Sequence, residues 1–96
     1  MIFLDWDEAK RVANIRKHNI DFADLLEVFE SETATDVDNR FDYAEPRFRS
    51  LGLFLGKVIT VIHTETIIGA DTFIRLISAR RADKYEQEYY FKNIRD

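Results

Sequence analysis

The sequence predicts a small α+β domain, with a twisted antiparallel sheet of about four strands, two N-terminal helices and one C-terminal helix. Apolar residues recur with helical spacing in the first third of the chain, whereas later segments are rich in the β-branched and aromatic residues typical of strands. The chain has 96 residues, of which 46% are hydrophobic, and this is enough for one core. With one proline, three glycines and no repeat, residues 1–96 are predicted to form a single domain.

The first strand and helix are predicted from a short apolar segment that is followed by aspartates. Residues 2–5 are expected to form a strand. The aspartate at the end of that strand, or Asp7, can cap a helix that continues to about His18. Val12 and Ala13 are expected to face the core.

A second helix is predicted after Asn19, which can adopt the left-handed conformation that ends the first one. Asp21 can cap this second helix. Its apolar residues recur at positions i, i+3, i+4 and i+7, which predicts that they face the core: Phe22, Leu25, Leu26 and Phe29.

The remainder of the chain is predicted to form the sheet and the last helix. The expected elements are a weak edge strand at 33–37, a polar loop at 38–46, a hairpin of strands 47–55 and 58–65 around Gly56-Lys57, a strand from 73 to about 79, and an aromatic-rich helix at 82–94.

Side-chain alternation in the hairpin places the candidate arginines and the candidate histidine on different faces of the sheet. With a two-residue turn, Ser50 would pair with His63, and strict alternation places Arg47 and Arg49 on the face opposite His63. Gly52 is an isolated glycine within a strand, where a β-bulge is common, and one bulge would reverse this arrangement. The sequence therefore leaves open whether Arg47 and His63 share a site.

Two arginines interrupt the apolar segment Phe-Ile-Arg-Leu-Ile-Ser-Ala-Arg at residues 73–80. An unpaired buried charge is costly, so Arg75 and Arg80 must contact a carboxylate, the sheet edge or an anionic ligand. A guanidinium group matches the shape of phosphate, and a salt bridge to one of the 18 acidic residues is the structural alternative. The two arginines lie on opposite faces of an ideal strand, unless the strand ends near Ser78.

Charge is distributed unevenly along the chain. The net charge of −4 has the wrong sign for a generic nucleic-acid-binding protein. Residues 21–45 contain nine acidic residues and one basic residue, however, whereas residues 46–96 contain nine basic and six acidic residues. A basic half can contact RNA while an acidic half contacts a basic partner; alternatively, the acidic side chains only form a solvated surface.

The sequence lacks the features of several classes of site. It contains no cysteine for a disulfide or thiolate metal site, and its two histidines form no metal-binding motif. No segment approaches the roughly 20 apolar residues of a membrane span, and the N-terminus does not have the pattern of a signal peptide. We therefore expect a cytoplasmic protein with no metal, cofactor or membrane partner.

Several blocks of residues, taken in order, resemble the BrnT family of bacterial toxins. The N-terminal blocks are Trp6-Asp7-Glu8-Ala9-Lys10-Arg11, Asn14, Lys17-His18, Asp21-Phe22 and Val28-Phe29. The later blocks are Glu45, Arg47, Gly52, His63-Thr64-Glu65, Arg75 to Arg80, Glu86 and Tyr90. The sequence departs from the family pattern at Asn19, which is usually glycine, in a longer loop between Ile67 and Asp71, and at Gln87, which replaces an arginine. The resemblance nevertheless covers nearly the whole chain.

This resemblance implies a RelE-like fold and a ribonuclease toxin of a type II toxin-antitoxin pair. Its partners would be an RNA substrate and a BrnA-like antitoxin, and operator DNA would be bound only through the antitoxin complex. We expect aromatic residues of the last helix to contact the antitoxin or, as the alternative, to form a homodimer: Tyr85, Tyr89, Tyr90 and Phe91.

The expected reaction is metal-independent cleavage of single-stranded or ribosome-associated RNA by its own 2′-hydroxyl, which would inhibit translation. The predicted catalytic residues hold positive charge against one phosphate or exchange a proton: Arg47, Arg75, Arg80, His63 and Glu45. The predicted RNA-binding residues are cationic or aromatic: Lys17, His18, Arg49 and Tyr90. The structural alternatives are surface ion pairs for the arginines, a core position for His63, helix capping for Lys17 and His18, and packing for Tyr90. A noncatalytic interaction module or an inactive toxin homologue is the alternative function.

Overall fold

A computed structural model describes residues 1–40, 42 and 44–94. Its elements follow the chain as β1 (Ile2–Trp6), α1 (Glu8–His18), a 3-10 turn (Phe22–Asp24), α2 (Leu26–Glu30), β2 (Ala34–Val37), β3 (Phe48–Phe54), β4 (Lys57–Ile68), β5 (Asp71–Arg81) and α3 (Lys84–Ile94). The predicted α+β class is confirmed. Within the described residues the sheet has five strands rather than four, in the order β1-β5-β4-β3-β2.

The sheet is mixed and not purely antiparallel, because β1 pairs with β5 in parallel, while the other pairs of strands are antiparallel. Helices cover both faces. The main core lies between the sheet and the segment from Ile20 to Phe29, and a second cluster joins Leu51, Val58 and Ala82 to Tyr90 of α3. None of the described helices is long and apolar enough to cross a membrane.

Helix α1 begins and ends where the sequence predicts, but it turns a different face to the sheet. Asp7 caps it by accepting a hydrogen bond from the Lys10 N–H, and Asn19 ends it at φ 58°. The expectation for Val12 and Ala13 was wrong, since both are exposed and Asn14 is buried.

Hydrogen bonds explain the burial of Asn14. Its side-chain amide accepts from the Ala79 N–H and donates to the Ala79 carbonyl, both at 2.9 Å, and it also donates to the Ile20 carbonyl. Strand β1 ends where Trp6 pairs with Leu76, so within the described residues the later part of β5 has no partner strand on that side. Asn14 takes the place of the missing strand by bonding the backbone of β5 there.

The predicted second helix is broken into the 3-10 turn and α2. Asp21 caps the turn through the Ala23 N–H, as expected. A 3-10 turn has three residues per turn and changes the phase of the helix that follows. As a result Leu26 is exposed, contrary to the predicted stripe, and Val28 takes its place in the core.

The β3–β4 hairpin turns at Leu55 and Gly56, whose φ angles are 51° and 77°. These are the two positive φ values of a type I′ turn. Phe54 therefore pairs with Lys57 and Phe48 with His63, which corrects the predicted register.

Strand β3 has no bulge at its glycine, the alternative that the sequence left open, since Gly52 pairs with Ile59 in a continuous register. This position requires glycine for a different reason. A Cβ atom there would lie 2.7 Å from Cγ1 of Val28 in α2, closer than real side chains approach.

A bulge lies in β5 instead. Ile62 pairs with Ser78 and His63 pairs with Leu76, so Ile77 is an extra residue on β5. The strand continues to Arg81, beyond the predicted end at about residue 79, so the alternative of an end near Ser78 was wrong. Because one extra residue reverses the alternation, side chains on either side of Ile77 that an ideal strand would separate share a face.

Candidate functional site

Three arginines lie on one face of the sheet, which we call the arginine face. Cross-strand pairing places Arg49 opposite Ile62, Arg75 opposite Thr64 and Arg80 opposite Thr60. The three partners alternate along β4, and paired residues project to the same side, so the arginines do as well. Arg75 and Arg80 share this face only because of the bulge at Ile77.

Arg75 forms an ion pair with Asp5 of β1, the residue beside it in the parallel register. The side chains of Arg75 and Asp5 are 46% and 70% exposed. An ion pair this exposed contributes less than about 1 kcal/mol. An anionic ligand can therefore replace Asp5 at Arg75 at small cost.

Arg80 is held much more firmly. Its two terminal nitrogens donate to the two carboxylate oxygens of Glu86, at 2.8 and 3.0 Å, and the Glu86 side chain is only 7% exposed. Glu86 also accepts from the Asp83 N–H, while the Asp83 carboxylate accepts from the Glu86 N–H, which forms the capping box of α3. Burial raises the pKa of Glu86, but the hydrogen bonds from Arg80 and Asp83 outweigh burial and lower the pKa overall.

Glu45 lies between the positions of two predicted catalytic arginines. One hollow of about 280 Å³ is lined by Glu45 together with Arg75, Asp5 and Thr64. A neighbouring hollow of about 230 Å³ is lined by Glu45 and Arg47, which immediately precedes β3. The structure therefore brings Glu45 and Arg75 to one hollow and Glu45 and Arg47 to the next.

Backbone positions separate Arg75 from Arg80. Their partners Thr64 and Thr60 are four residues apart on β4, which corresponds to about 13 Å along the strand. Arg49 lies between these rows and pairs with Asp36 of β2 at 3.3 Å. The arginines of this face are thus spread over β5 and β3, on either side of β4, rather than gathered in one tight cluster.

His63 lies on the other side of the sheet, away from the arginine face. It is 1% exposed and contacts the rings of Phe29 and Phe48. Its Nε2 lies 2.7 Å from the Ser50 hydroxyl and its Nδ1 lies 3.2 Å from the Thr64 carbonyl. A carbonyl can only accept, so Nδ1 carries the proton and Nε2 accepts from Ser50. Burial lowers the pKa of His63, which favours this neutral form.

The remaining predicted RNA-binding residues occupy two different places. Lys17 and His18 end α1, where Lys17 is exposed and His18 is half-buried. Tyr90 is buried under α3 against the second core cluster, and burial raises the pKa of its hydroxyl. Stacking of a base on Tyr90 stays a prediction, but the structure places this ring in the core.

A family model described as "ribonuclease toxin, BrnT, of type II toxin-antitoxin system" matches residues 6–86. The chain belongs to this family. The resemblance predicted from its blocks is confirmed, and the family implies an RNA substrate and an antitoxin partner. A comparison with curated proteins found no match.

The BrnT match covers the whole arginine face and ends at the residue that holds Arg80. It begins at Trp6 and extends through Glu86, and therefore includes Glu45, Arg47 and His63, whereas Tyr90 lies beyond it. In the described part of the chain, no group of three or more potential metal ligands is found.

Sequence reasoning missed the carboxylates that engage the arginines. The signal for Glu86 was present, since Asp83 and Glu86 have capping-box spacing before an apolar helix. Asp5 offered no local signal, because its contact with Arg75 spans 70 residues and depends on the parallel pairing of β1 with β5.

Proposed function

We propose that this BrnT-family chain is a metal-independent endoribonuclease with a RelE-like fold, acting in the cytoplasm on single-stranded or ribosome-associated RNA. Cleavage would inhibit translation until a cognate antitoxin neutralises the toxin. The observation that supports this best is the bulge at Ile77, which brings Arg80 to the same face as Arg75, and Arg75 lines a hollow together with Glu45.

Arg75 is proposed to bind the scissile phosphate. Its ion pair with Asp5 is exposed, and the oxygens of a phosphodiester can accept from a guanidinium group as a carboxylate does. Arg80 lies about 13 Å away along the strand and keeps its contact with Glu86, so it would contact a neighbouring phosphate. Arg47 completes the positive charge on the far side of Glu45.

Glu45 is proposed to accept the proton of the 2′-hydroxyl. His63 is a poor candidate because its ring lies across the sheet and Nε2 already accepts from Ser50. Attack of the 2′-oxygen on the adjacent phosphorus breaks the bond to the 5′-oxygen and yields a 2′,3′-cyclic phosphate. The 5′-oxygen leaves with a proton from solvent, and RNA geometry supplies part of the alignment.

A noncatalytic or inactive homologue is the second candidate, and the ion pairs favour it. Arg49, Arg75 and Arg80 each contact a carboxylate of the chain itself. Together with the net charge of −4, these contacts reduce the positive potential available to RNA.

The antitoxin is proposed to bind the exposed aromatics of α3. Tyr85, Tyr89 and Phe91 are exposed, with Tyr85 74% exposed, whereas Tyr90 anchors the helix to the sheet beside the arginine face. A partner bound there would cover the approach to Arg80. A homodimer through the same aromatics is the alternative, and sedimentation of the isolated chain would distinguish a dimer from a monomer that awaits its antitoxin.

Purified chain and single-stranded RNA test the proposed activity. We expect cleavage in excess EDTA, with 2′,3′-cyclic phosphate ends, and growth arrest with RNA decay after induced expression in bacteria. Arg75→Ala should lower kcat/KM by about tenfold or more and Glu45→Gln by about a hundredfold, with a loss of stability below about 1 kcal/mol in each case. Arg16→Ala, an exposed change in α1, is the matched control. Absence of both cleavage and growth arrest would support the noncatalytic alternative.

A further inference from the structure

A cavity of about 340 Å³ opens at the end of the sheet, between the C-terminus of α1 and the turn of the β3–β4 hairpin. It is lined by the cationic residues Lys57 and Arg81 and by His18, over an apolar floor that includes Phe54 and Ile59. Arg81 pairs with Ile59, so this cavity lies on the sheet face opposite the arginine face.

The lining of this cavity is positively charged and includes no carboxylate. Among the described residues, no acidic side chain forms an ion pair with Lys57, Arg81 or His18. Burial, followed by the positive charges of Lys17 and Arg80, lowers the pKa of His18. The charge of about +2 therefore comes from Lys57 and Arg81, unlike the arginine face, where the charges are paired.

Leu55 at the mouth of the cavity has an unfavourable backbone conformation. It lines the cavity, is 81% exposed and has φ 51° at the first central position of the turn. Asparagine or glycine is strongly preferred there, because a leucine in the left-handed region is strained. Strained residues concentrate at functional sites, and an exposed leucine adds apolar surface beside the cationic groups.

We propose that this cavity binds one nucleotide of the RNA substrate, outside the scissile phosphate. Lys57 and Arg81 contact its phosphate, and its base packs against Leu55 and Phe54. The inference rests on the proposed ribonuclease function and adds a second subsite to it.

The position of the cavity fits a continuous path for an RNA strand. Arg80 and Arg81 are consecutive in β5 and project to opposite faces of the sheet at the same end. A strand whose phosphate contacts Arg80 can pass the end of α1 and reach the cavity, which His18 of α1 lines. The volume is at the lower end of the range for small-molecule sites, and a base with one phosphate is a ligand of that size class.

Binding of a cleavage-resistant probe tests the subsite separately from catalysis. The probe is a 2′-O-methyl RNA hexamer, which lacks the attacking hydroxyl, titrated into the full chain and followed by fluorescence anisotropy. The variant Lys57→Ala/Arg81→Ala should raise Kd tenfold or more and reduce the salt slope by roughly 0.7 for each phosphate that the protein no longer neutralises. Lys10→Ala/Lys92→Ala, which removes two exposed lysines from helices, is the matched control.

A Kd equal to that of the control overturns the subsite, even if the parent chain cleaves RNA. Tight probe binding that requires Lys57 and Arg81, in a chain without cleavage activity, supports the subsite while the proposed catalysis fails.

The variant Leu55→Asn is a second test, because it should change stability and probe affinity in opposite directions. It should raise the urea midpoint of unfolding, because asparagine tolerates the left-handed conformation, and it should weaken probe binding at least threefold because the base no longer packs against an apolar side chain. Unchanged probe affinity in this folded variant would overturn the assignment of a base to the mouth of the cavity. An acidic peptide that binds as tightly as the RNA probe would overturn the choice of ligand.

Discussion

Arg75→Ala and Arg80→Ala should differ sharply in stability, although both remove an arginine from the same strand and the same face. Removing Arg75 leaves Asp5 in solvent, so we expect a loss of less than about 1 kcal/mol. Removing Arg80 leaves the carboxylate of Glu86 buried without its two strongest donors. Breaking a buried pair costs about 3–5 kcal/mol, and we take about 3 because the Arg80 side chain is 34% exposed.

Urea unfolding followed by the fluorescence of Trp6 measures this difference. With an m-value of about 1 kcal/mol/M, Arg80→Ala should lower the midpoint by about 3 M and Arg75→Ala by less than about 1 M. Arg80→Ala/Glu86→Gln is the control, since a neutral side chain can still accept from the Asp83 N–H and removes the buried charge. This double variant should recover part of the stability that Arg80→Ala loses. Equal midpoints for Arg75→Ala and Arg80→Ala would refute the distinction between an exchangeable and an anchored arginine.

Three further predictions concern the fold and its pH dependence. Asn14→Ala leaves the N–H and carbonyl of Ala79 without their partner and should cost about 3 kcal/mol in urea unfolding, whereas a loss below about 1 kcal/mol would mean that water replaces the amide. Gly52→Ala should cost about 1–3 kcal/mol because its Cβ would lie 2.7 Å from Val28, and an unchanged midpoint would show that α2 moves freely. Because the pKa of His63 is lowered from 6.5, the unfolded chain binds more protons, so stability should fall as pH decreases from 6.5 through the folded pKa. His63→Gln should flatten this pH dependence of stability between about pH 7.5 and 5.5. An unchanged slope would show that another titrating group causes the dependence.

The division of the hairpin residues between two faces could be predicted from the sequence, although its register could not. The predicted turn at Gly56-Lys57 and the observed turn at Leu55-Gly56 differ by one residue in each strand. Because of this error, the predicted partner of each residue is two positions from the observed one, for example Ser50 instead of Phe48 opposite His63. A shift of two positions leaves every side chain on its face. Alternation alone therefore predicts correctly that His63 and Arg49 lie on opposite faces of the sheet.

The bulge illustrates what local sequence does not contain. Glycine within a strand indicates either a bulge or close backbone approach, and Gly52 serves the second purpose by accommodating Val28. The actual bulge residue, Ile77, is a good strand former and carries no signal. The position of the bulge depends on pairing between β4 and β5. The sequence therefore allowed the hypothesis that Arg75 and Arg80 share a face, but it did not reveal the bulge that brings them there.

The two arginine contacts are compatible with the proposed binding of phosphate by an acidic protein. A ligand that binds Arg75 must release Asp5, and this carboxylate is exposed enough to regain its hydration, so little of the binding energy is lost. The same exchange at Arg80 would strand a buried carboxylate and break the cap of α3, so Glu86 must remain in place. The net charge of −4 therefore does not by itself exclude phosphate binding at Arg75. What matters is which carboxylates can leave, and the parallel strand β1 places the exchangeable one beside Arg75, which lines a hollow together with Glu45.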